Sequence, residues 1–232
     1  MSRKQPLVEA KAGRKERSAG PPGPDFGDVI WVCRRLAAAL QDGATILQAL
    51  DSILKEAPAG PKSLLGAMRG NLVTEATVAR GLISLVPSFV WGTMLSGELY
   101  GAPGPALTKL ADHLAAEQEA TGAADPVLRD YSLALGRLGL MLQVRVPILQ
   151  AMDAVAESAA VSEVREAMLA AREGVGDGAD LSDALARVAA DLPSDAVEMI
   201  RDGERSGRLP DALPIVADYL MDEAGQESQR GE

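Results

Sequence analysis

This chain has almost none of the residues that usually carry chemistry. Among 232 residues there is one Cys and one His. Cys33 alone cannot close an intramolecular disulfide, and no Cys/His spacing matches a zinc site. It lies in an apolar stretch of helical period, where a free thiol packs as a small hydrophobe. His113 sits between Leu110 and Leu114 with no acid/base partner evident in sequence, and reads as structural. Aromatics are 3% of residues although 47% are hydrophobic, so Ala, Leu and Val supply most of the apolar content. That mixture favours helix over strand. Trp31 and Trp91 are the large side chains expected to anchor a core.

Long apolar runs are also missing. The longest stretch without Asp, Glu, Lys or Arg runs from Gly81 to Gly97 and contains Pro87. It falls short of the ~20 apolar residues that a spanning helix needs. It reads as two buried helices broken at the proline. Gly174-Val-Gly-Asp-Gly has neither the preceding strand nor the following Lys-Ser/Thr of a phosphate loop. No nucleotide, metal or other cofactor is expected, and nothing clusters as an enzyme active site would.

Charge is present but uneven. Residues 1–24 hold six Lys/Arg and two Glu, so the remainder carries −14 of the total −10. The segment "MSRKQPLVEAKAGRKERSAGPPGP" is basic, poor in apolar residues and ends in Pro and Gly. It reads as a disordered tail, able at most to touch an anionic membrane surface or an acidic partner. The acidic body argues against nucleic acid, whose phosphates call for a basic face.

Helical signals follow almost everywhere. Asp25 is positioned to cap a helix over about Phe26–Gln41, with Val29, Val32, Cys33, Leu36 and Leu40 on one face. Gly43 ends it, and Thr45 opens the next, closed by Pro58, Gly60 and Pro61. Further helices are expected at about Lys62–Leu72, Thr74–Leu85, Ser88–Leu99 and Pro105–Ala120. The pattern then restarts at Asp125. "ILQALD" at Ile46–Asp51 returns as "ILQAMD" at Ile148–Asp153, 102 residues on. Pro87, Gly97, Glu98 and Gly101 return as Pro193, Gly203, Glu204 and Gly207, 106 residues on. The added residues fall near "EGVGDGADLSDAL", where Gly174, Gly176 and Gly178 mark a loop and Asp180 caps a helix, with Asp183 assisting.

The expected fold is therefore all-α: two tandem, homologous six-helix bundles behind the tail. The boundaries are a tail at 1–24, a degenerate first bundle at 25–121, a second at 125–226, and a disordered tail at 227–232. Each unit is long enough to bury its own core. Two like bundles suggest either an internal pseudo-twofold pair or two separate docking surfaces, and a homo-oligomer is open to such a chain.

The recurring Gly-Glu-x-x-Gly element reads as a structural corner. Gly97 and Gly203 permit close helix approach, and Gly101 and Gly207 suit a left-handed helix end. Glu98 and Glu204 between them would accept backbone N–H groups at a neighbouring helix start. The acidic residues Glu198, Asp202, Glu204 and Asp211 form a candidate surface for a basic partner.

Three stretches together resemble a known family: "LGLMLQVRVPILQAMD", "GDGADLSDALARVAADLP" and "MIRDGERSGRLPDALPIVADYL". They are similar to the cytoplasmic domain of the inner-membrane platform protein of type II secretion systems and type IV pili. The first unit keeps "DGATILQALD" and "SGELYG" but lacks the Gly-x-x-Leu-Ser helix start. The resemblance implies a duplicated six-helix bundle acting as a scaffold, without enzymatic activity. It implies a cytoplasmic place at the inner face of the inner membrane, and protein partners such as the assembly ATPase or another machine component. The platform's membrane helices have no counterpart at 115–127 or after Tyr219, so a soluble adaptor is expected. The competing expectation is a helical interaction module that keeps this fold in an unrelated regulatory or signalling complex, since fold alone does not fix function.

Overall fold

Asp25 opens the first helix, its Oδ1 accepting the Gly27 N–H at 3.0 Å. From there a computed structural model describes residues 25–75, 77–119 and 125–230. The basic segment 1–24 and most of the connection around "TGAADP" lie outside the described residues. Helices α1 (Phe26–Gln41), α2 (Ile46–Glu56) and α3 (Ala59–Glu75) come first. A short 3-10 turn (Ala79–Leu82) precedes α4 (Ser88–Leu99) and α5 (Pro103–Glu119). The second half holds α6 (Pro126–Gln143), α7 (Ile148–Ser158), α8 (Ser162–Gly176), α9 (Leu181–Val188), α10 (Ser194–Arg205) and α11 (Leu209–Arg230). Among the described residues there is no strand.

Local chemistry accounts for the helix starts. Thr45 and Gln48 form a reciprocal cap on α2, Gln48 N–H to Thr45 Oγ1 at 3.3 Å and Thr45 N–H to Gln48 Oε1 at 2.9 Å. Asp125 Oδ1 accepts the Val127 and Leu128 amides at 2.7 and 3.1 Å, with Pro126 in the first turn of α6. Pro87, Pro147 and Pro193 stand immediately before α4, α7 and α10.

In the first half α1 lies along α5, with α2 and α3 against α1 and α4 against α5. In the second half α6 lies along α11, with α7 and α8 against α6 and α10 against α11. The apolar stripe of α1 is inside: Val29, Val32, Cys33 and Leu36 are buried. Burial pushes the Cys33 thiol up to about 12, so it stays protonated and inert.

Several expectations are corrected. Thr74–Leu85 forms only the 3-10 turn, because α3 runs on to Glu75 and Pro87 follows closely. Val78, Ala79, Leu82 and Val86 still bury their side chains from that irregular path. The halves do not keep separate cores: one cluster runs from Leu36, Leu65 and Phe89 through Leu135 and Met141 to Leu220. Trp31 and Trp91 are half-buried at its edge, and Phe89, Tyr131 and the leucines fill its centre. Gly174 and Gly176 belong to α8, and the break comes at Gly178, whose φ is +95°. Helix α11 continues to Arg230, beyond the start of the expected tail at 227.

The halves are also not related by a two-fold exchange. α4 and α5 of the first half pack on α6 and α7 of the second. A two-fold would require α10 and α11 to touch α1 and α2 in return, and among the described residues they do not. The packing is head to tail.

Candidate functional site

The Gly-Glu-x-x-Gly elements end α4 and α10, and the two corners have the same backbone. At the first, Ala102 N–H donates to Gly97 O at 2.8 Å and Gly101 N–H to Glu98 O at 3.2 Å. At the second, Arg208 N–H donates to Gly203 O at 2.8 Å and Gly207 N–H to Glu204 O at 3.0 Å. Gly101 and Gly207 have φ of +69° and +68°. These are left-handed helix ends in which the freed carbonyls are satisfied. Gly97 and Gly203 face the following helix. A Cβ at Gly97 would lie 2.5 Å from Ala106 Cβ, and one at Gly203 would lie 2.6 Å from Ala212 Cβ. Neither corner can close around a larger residue without moving a helix.

The glutamates turn inward. Glu98 Oε1 accepts the Val78 and Ala79 amides at 3.0 and 3.3 Å, at the start of the 3-10 turn. Glu204 accepts the Leu181 amide at 2.5 Å on Oε1 and the Ser182 amide at 3.2 Å on Oε2, at the start of α9. Each carboxylate supplies the acceptor that a helix N-terminus lacks, and its charge meets the positive end of the helix dipole. Asp180 occupies the cap position of α9 but makes no side-chain cap bond. Asp183 pairs instead with Arg201 Nη2 at 3.0 Å. The capping acid thus comes from 24 residues along the chain, not from the local sequence.

The two carboxylates differ in one contact. The Ser182 hydroxyl donates to Glu204 Oε2 at 2.6 Å. At the first corner Ala79 holds that place, and Glu98 Oε2 is buried without a partner among the described residues. Burial raises the Glu98 carboxyl above its ordinary range, against the two backbone hydrogen bonds that favour its charge.

A second acidic pair escaped sequence reasoning. Asp130 is buried on α6 and accepts the Ala160 and Val161 amides at 3.2 and 2.8 Å, before α8. Asp28, 102 residues earlier, sets its carboxylate against Gly60 at the start of α3. The signal in sequence is one acidic residue recurring inside an apolar helical stripe.

A third cluster joins the halves. Arg137 on α6 is buried and pairs two-pronged with Glu117 on α5, Nε to Oε1 at 2.8 Å and Nη2 to Oε2 at 3.0 Å. Its Nη1 reaches Ser158 Oγ at 3.1 Å, and its guanidinium lies 4.5 Å from the Phe89 ring centroid. His113, expected to lack a partner, sits with Nε2 2.9 Å from Glu117 Oε1. Burial works to raise the Glu117 carboxyl, but hydrogen bonds from His113 and Arg137 hold it below its ordinary range.

The expected acidic surface is rearranged. Asp202 and Asp211 are exposed. Glu198 is exposed too but pairs with Arg201. Glu204 is spent on α9 and leaves that surface. Arg205 and Arg208 share the rim of a groove of about 750 Å³ with Asp202 and Asp211, so the face is of mixed charge. A second groove, of about 560 Å³, lies between α4 and α7, with Trp91, Leu95 and the exposed Leu99 and Tyr100 on its wall. Among the described residues no group of three His, Cys, Asp or Glu could hold a metal ion.

Residues 134–231 match the family described as type II secretion system (T2SS), protein F. That match lies in the second half and covers less than half of the chain. The match takes in most of α6 and all of α7–α11, with the second corner inside it. A curated relative is the "Type IV pilus assembly protein PilC" of Myxococcus xanthus (strain DK1622), 35% identical over 100 residues. Those residues are 42% of this chain and 24% of the relative, so the chain matches about a quarter of that protein's length. Among the described residues, no helix is long and apolar enough to cross a membrane.

Proposed function

We propose that the chain is a tandem pair of platform-type helical units acting as a non-catalytic scaffold in a type II secretion or type IV pilus machine. The second unit carries the docking face, and the first holds it in place. The partner is a component of the machine, with the assembly ATPase first in line. The site of action is the cytoplasmic face of the inner membrane. The observation that carries this reading is the corner built twice: the same left-handed glycine, the same close glycine–alanine approach and the same inward glutamate capping the preceding helical turn. One copy of that corner lies inside the protein F match.

A docking role suits the chemistry better than catalysis. The inward acids are engaged by backbone amides, and the charges left exposed on α10 and α11 are spread around an open groove. Such rim charges steer and select a partner more than they set its affinity. Affinity capture from the native organism tests the reading, comparing wild type with Glu198→Lys/Asp202→Lys. Recovery of secretion or pilus components by wild type, reduced in the variant, is expected. Equal recovery by both, or capture of only an unrelated regulatory complex, would overturn it.

A further inference from the structure

The first corner is occupied. Between α4 and α5 it receives the end of α6. Ser96 Oγ donates to the Val144 carbonyl at 2.5 Å, and Lys109 Nζ donates to Gln143 Oε1 at 2.8 Å. Arg145 lies over Tyr100, its guanidinium carbon 5.6 Å from the ring centroid. The second corner has the same floor, Gly203 against Ala212, but stands open as the groove of about 750 Å³ between α10 and α11. At the register of the repeat, Asp202 replaces Ser96, Arg205 replaces Leu99, Arg208 replaces Ala102 and Ile215 replaces Lys109. Ile215 is 60% exposed there, an apolar side chain with no cover.

We propose that this groove takes the turn at the end of α1 from a second copy of the chain, so that copies associate head to tail. The proposal rests on the equivalence of the two units. The turn is the counterpart of the one that fills the first corner: Gln41 corresponds to Gln143, and Asp42 to Val144. Its backbone is the same. Ala44 N–H donates to Ala39 O at 3.0 Å where Val146 N–H donates to Met141 O at 2.9 Å. Gly43 and Arg145 both have positive φ, +86° and +70°. Gln143 and Val144 are half-buried in their corner, whereas Gln41, Asp42 and Gly43 are exposed.

Charge selects the seating. Asp42 is the charged residue of the turn, and the last carbonyls of α1 add the negative end of its dipole. On the groove, Arg205 and Arg208 are exposed and offer the complement. Asp202 and Asp211 share the rim, so the fit depends on Asp42 meeting the arginine side. Each copy has one turn and one groove, and such a heterologous contact does not stop at two chains. Its charged character makes it sensitive to salt.

Light scattering over a concentration series at low salt tests this. The mass should rise with concentration from the 24.2 kDa of one chain, pass twice that value, and fall back in high salt. Asp42→Arg and Arg208→Asp should each leave the mass at one chain, and an equimolar mixture of the two variants should associate again. Circular dichroism confirms that both variants are folded. A wild-type mass that never leaves one chain, one that stops at two, or association unchanged in both variants would overturn the proposal. Asp42 is on the first unit, away from the docking face on α10. Capture of machine components by Asp42→Arg therefore reports on the proposed function separately.

Discussion

The Ser182 hydroxyl donates to Glu204 Oε2 at 2.6 Å and completes a carboxylate already bound by two backbone amides. The first corner lacks that hydroxyl, since Ala79 stands where Ser182 does, and Glu98 Oε2 is orphaned among the described residues. Ala79→Ser should therefore stabilise the chain by about 1 kcal/mol, the net worth of one hydrogen bond. Ser182→Ala should destabilise it by about 1–2 kcal/mol, because a buried acceptor loses its donor. Urea denaturation of both variants checks this, and the two shifts should be opposite in sign.

Arg145 has φ of +70°, the one non-glycine at positive φ among the described residues. The left-handed conformation costs a Cβ-bearing residue about 1 kcal/mol. Arg145→Gly removes that strain but also the contact with Tyr100, worth about 0.5 kcal/mol at an exposed site. A net gain of about 0.5 kcal/mol is expected from the same denaturation measurement. Gly43→Ala at the matching turn should lose about 1 kcal/mol.

Much of this was legible in the sequence and some of it was not, for physical reasons. Helix starts at Asp25 and Thr45 follow from local chemistry, so the boundaries of α1 and the start of α2 could be read directly. The left-handed glycines could be read as well, because few other residues hold that conformation without strain. The cap on α9 could not be assigned correctly, because Asp180 is the local candidate and the acceptor comes from Glu204 across the fold. The 74–85 segment misled for a related reason. Its apolar residues at 78, 79 and 82 have helical spacing, yet they reach the core from an irregular path around a single 3-10 turn. The Arg137–Glu117–His113 cluster left no pattern, since its members meet only once α5 packs on α6.

The two glycines of the second corner should fail by different mechanisms. Gly207→Val meets open space but takes on a left-handed backbone, at a cost of about 1 kcal/mol or more. Gly203→Ala places a Cβ 2.6 Å from Ala212 Cβ and overpacks the approach of α10 to α11, at about 1–3 kcal/mol. Ala212→Gly should restore part of the second loss and none of the first. Thermal unfolding of the single and double variants separates them.

Glu117 ties stability to acid pH. Its folded pKa is held below the unfolded value, so its contribution is present above the ordinary carboxylate range and is lost as pH falls through the folded pKa. Glu117→Leu should flatten the acid limb of the stability curve. At neutral pH it should cost about 3 kcal/mol or more, because Arg137 is left buried and unpaired. Adding Arg137→Met should recover much of that loss, since an apolar pair can replace a buried ion pair. Denaturation across a pH series shows both effects.

The central claim is that the second unit is a docking face for a secretion or pilus machine, and direct binding to the purified assembly ATPase of the same organism tests it. Calorimetric titration of the wild-type chain should give saturable binding that weakens as salt rises. Glu198→Lys/Asp202→Lys should weaken it at least tenfold, a loss of about 1.4 kcal/mol. Ala79→Ser, buried in the first unit, should leave it unchanged. No binding by the folded wild-type chain, or equal affinity for wild type and the Glu198→Lys/Asp202→Lys variant, would contradict the account.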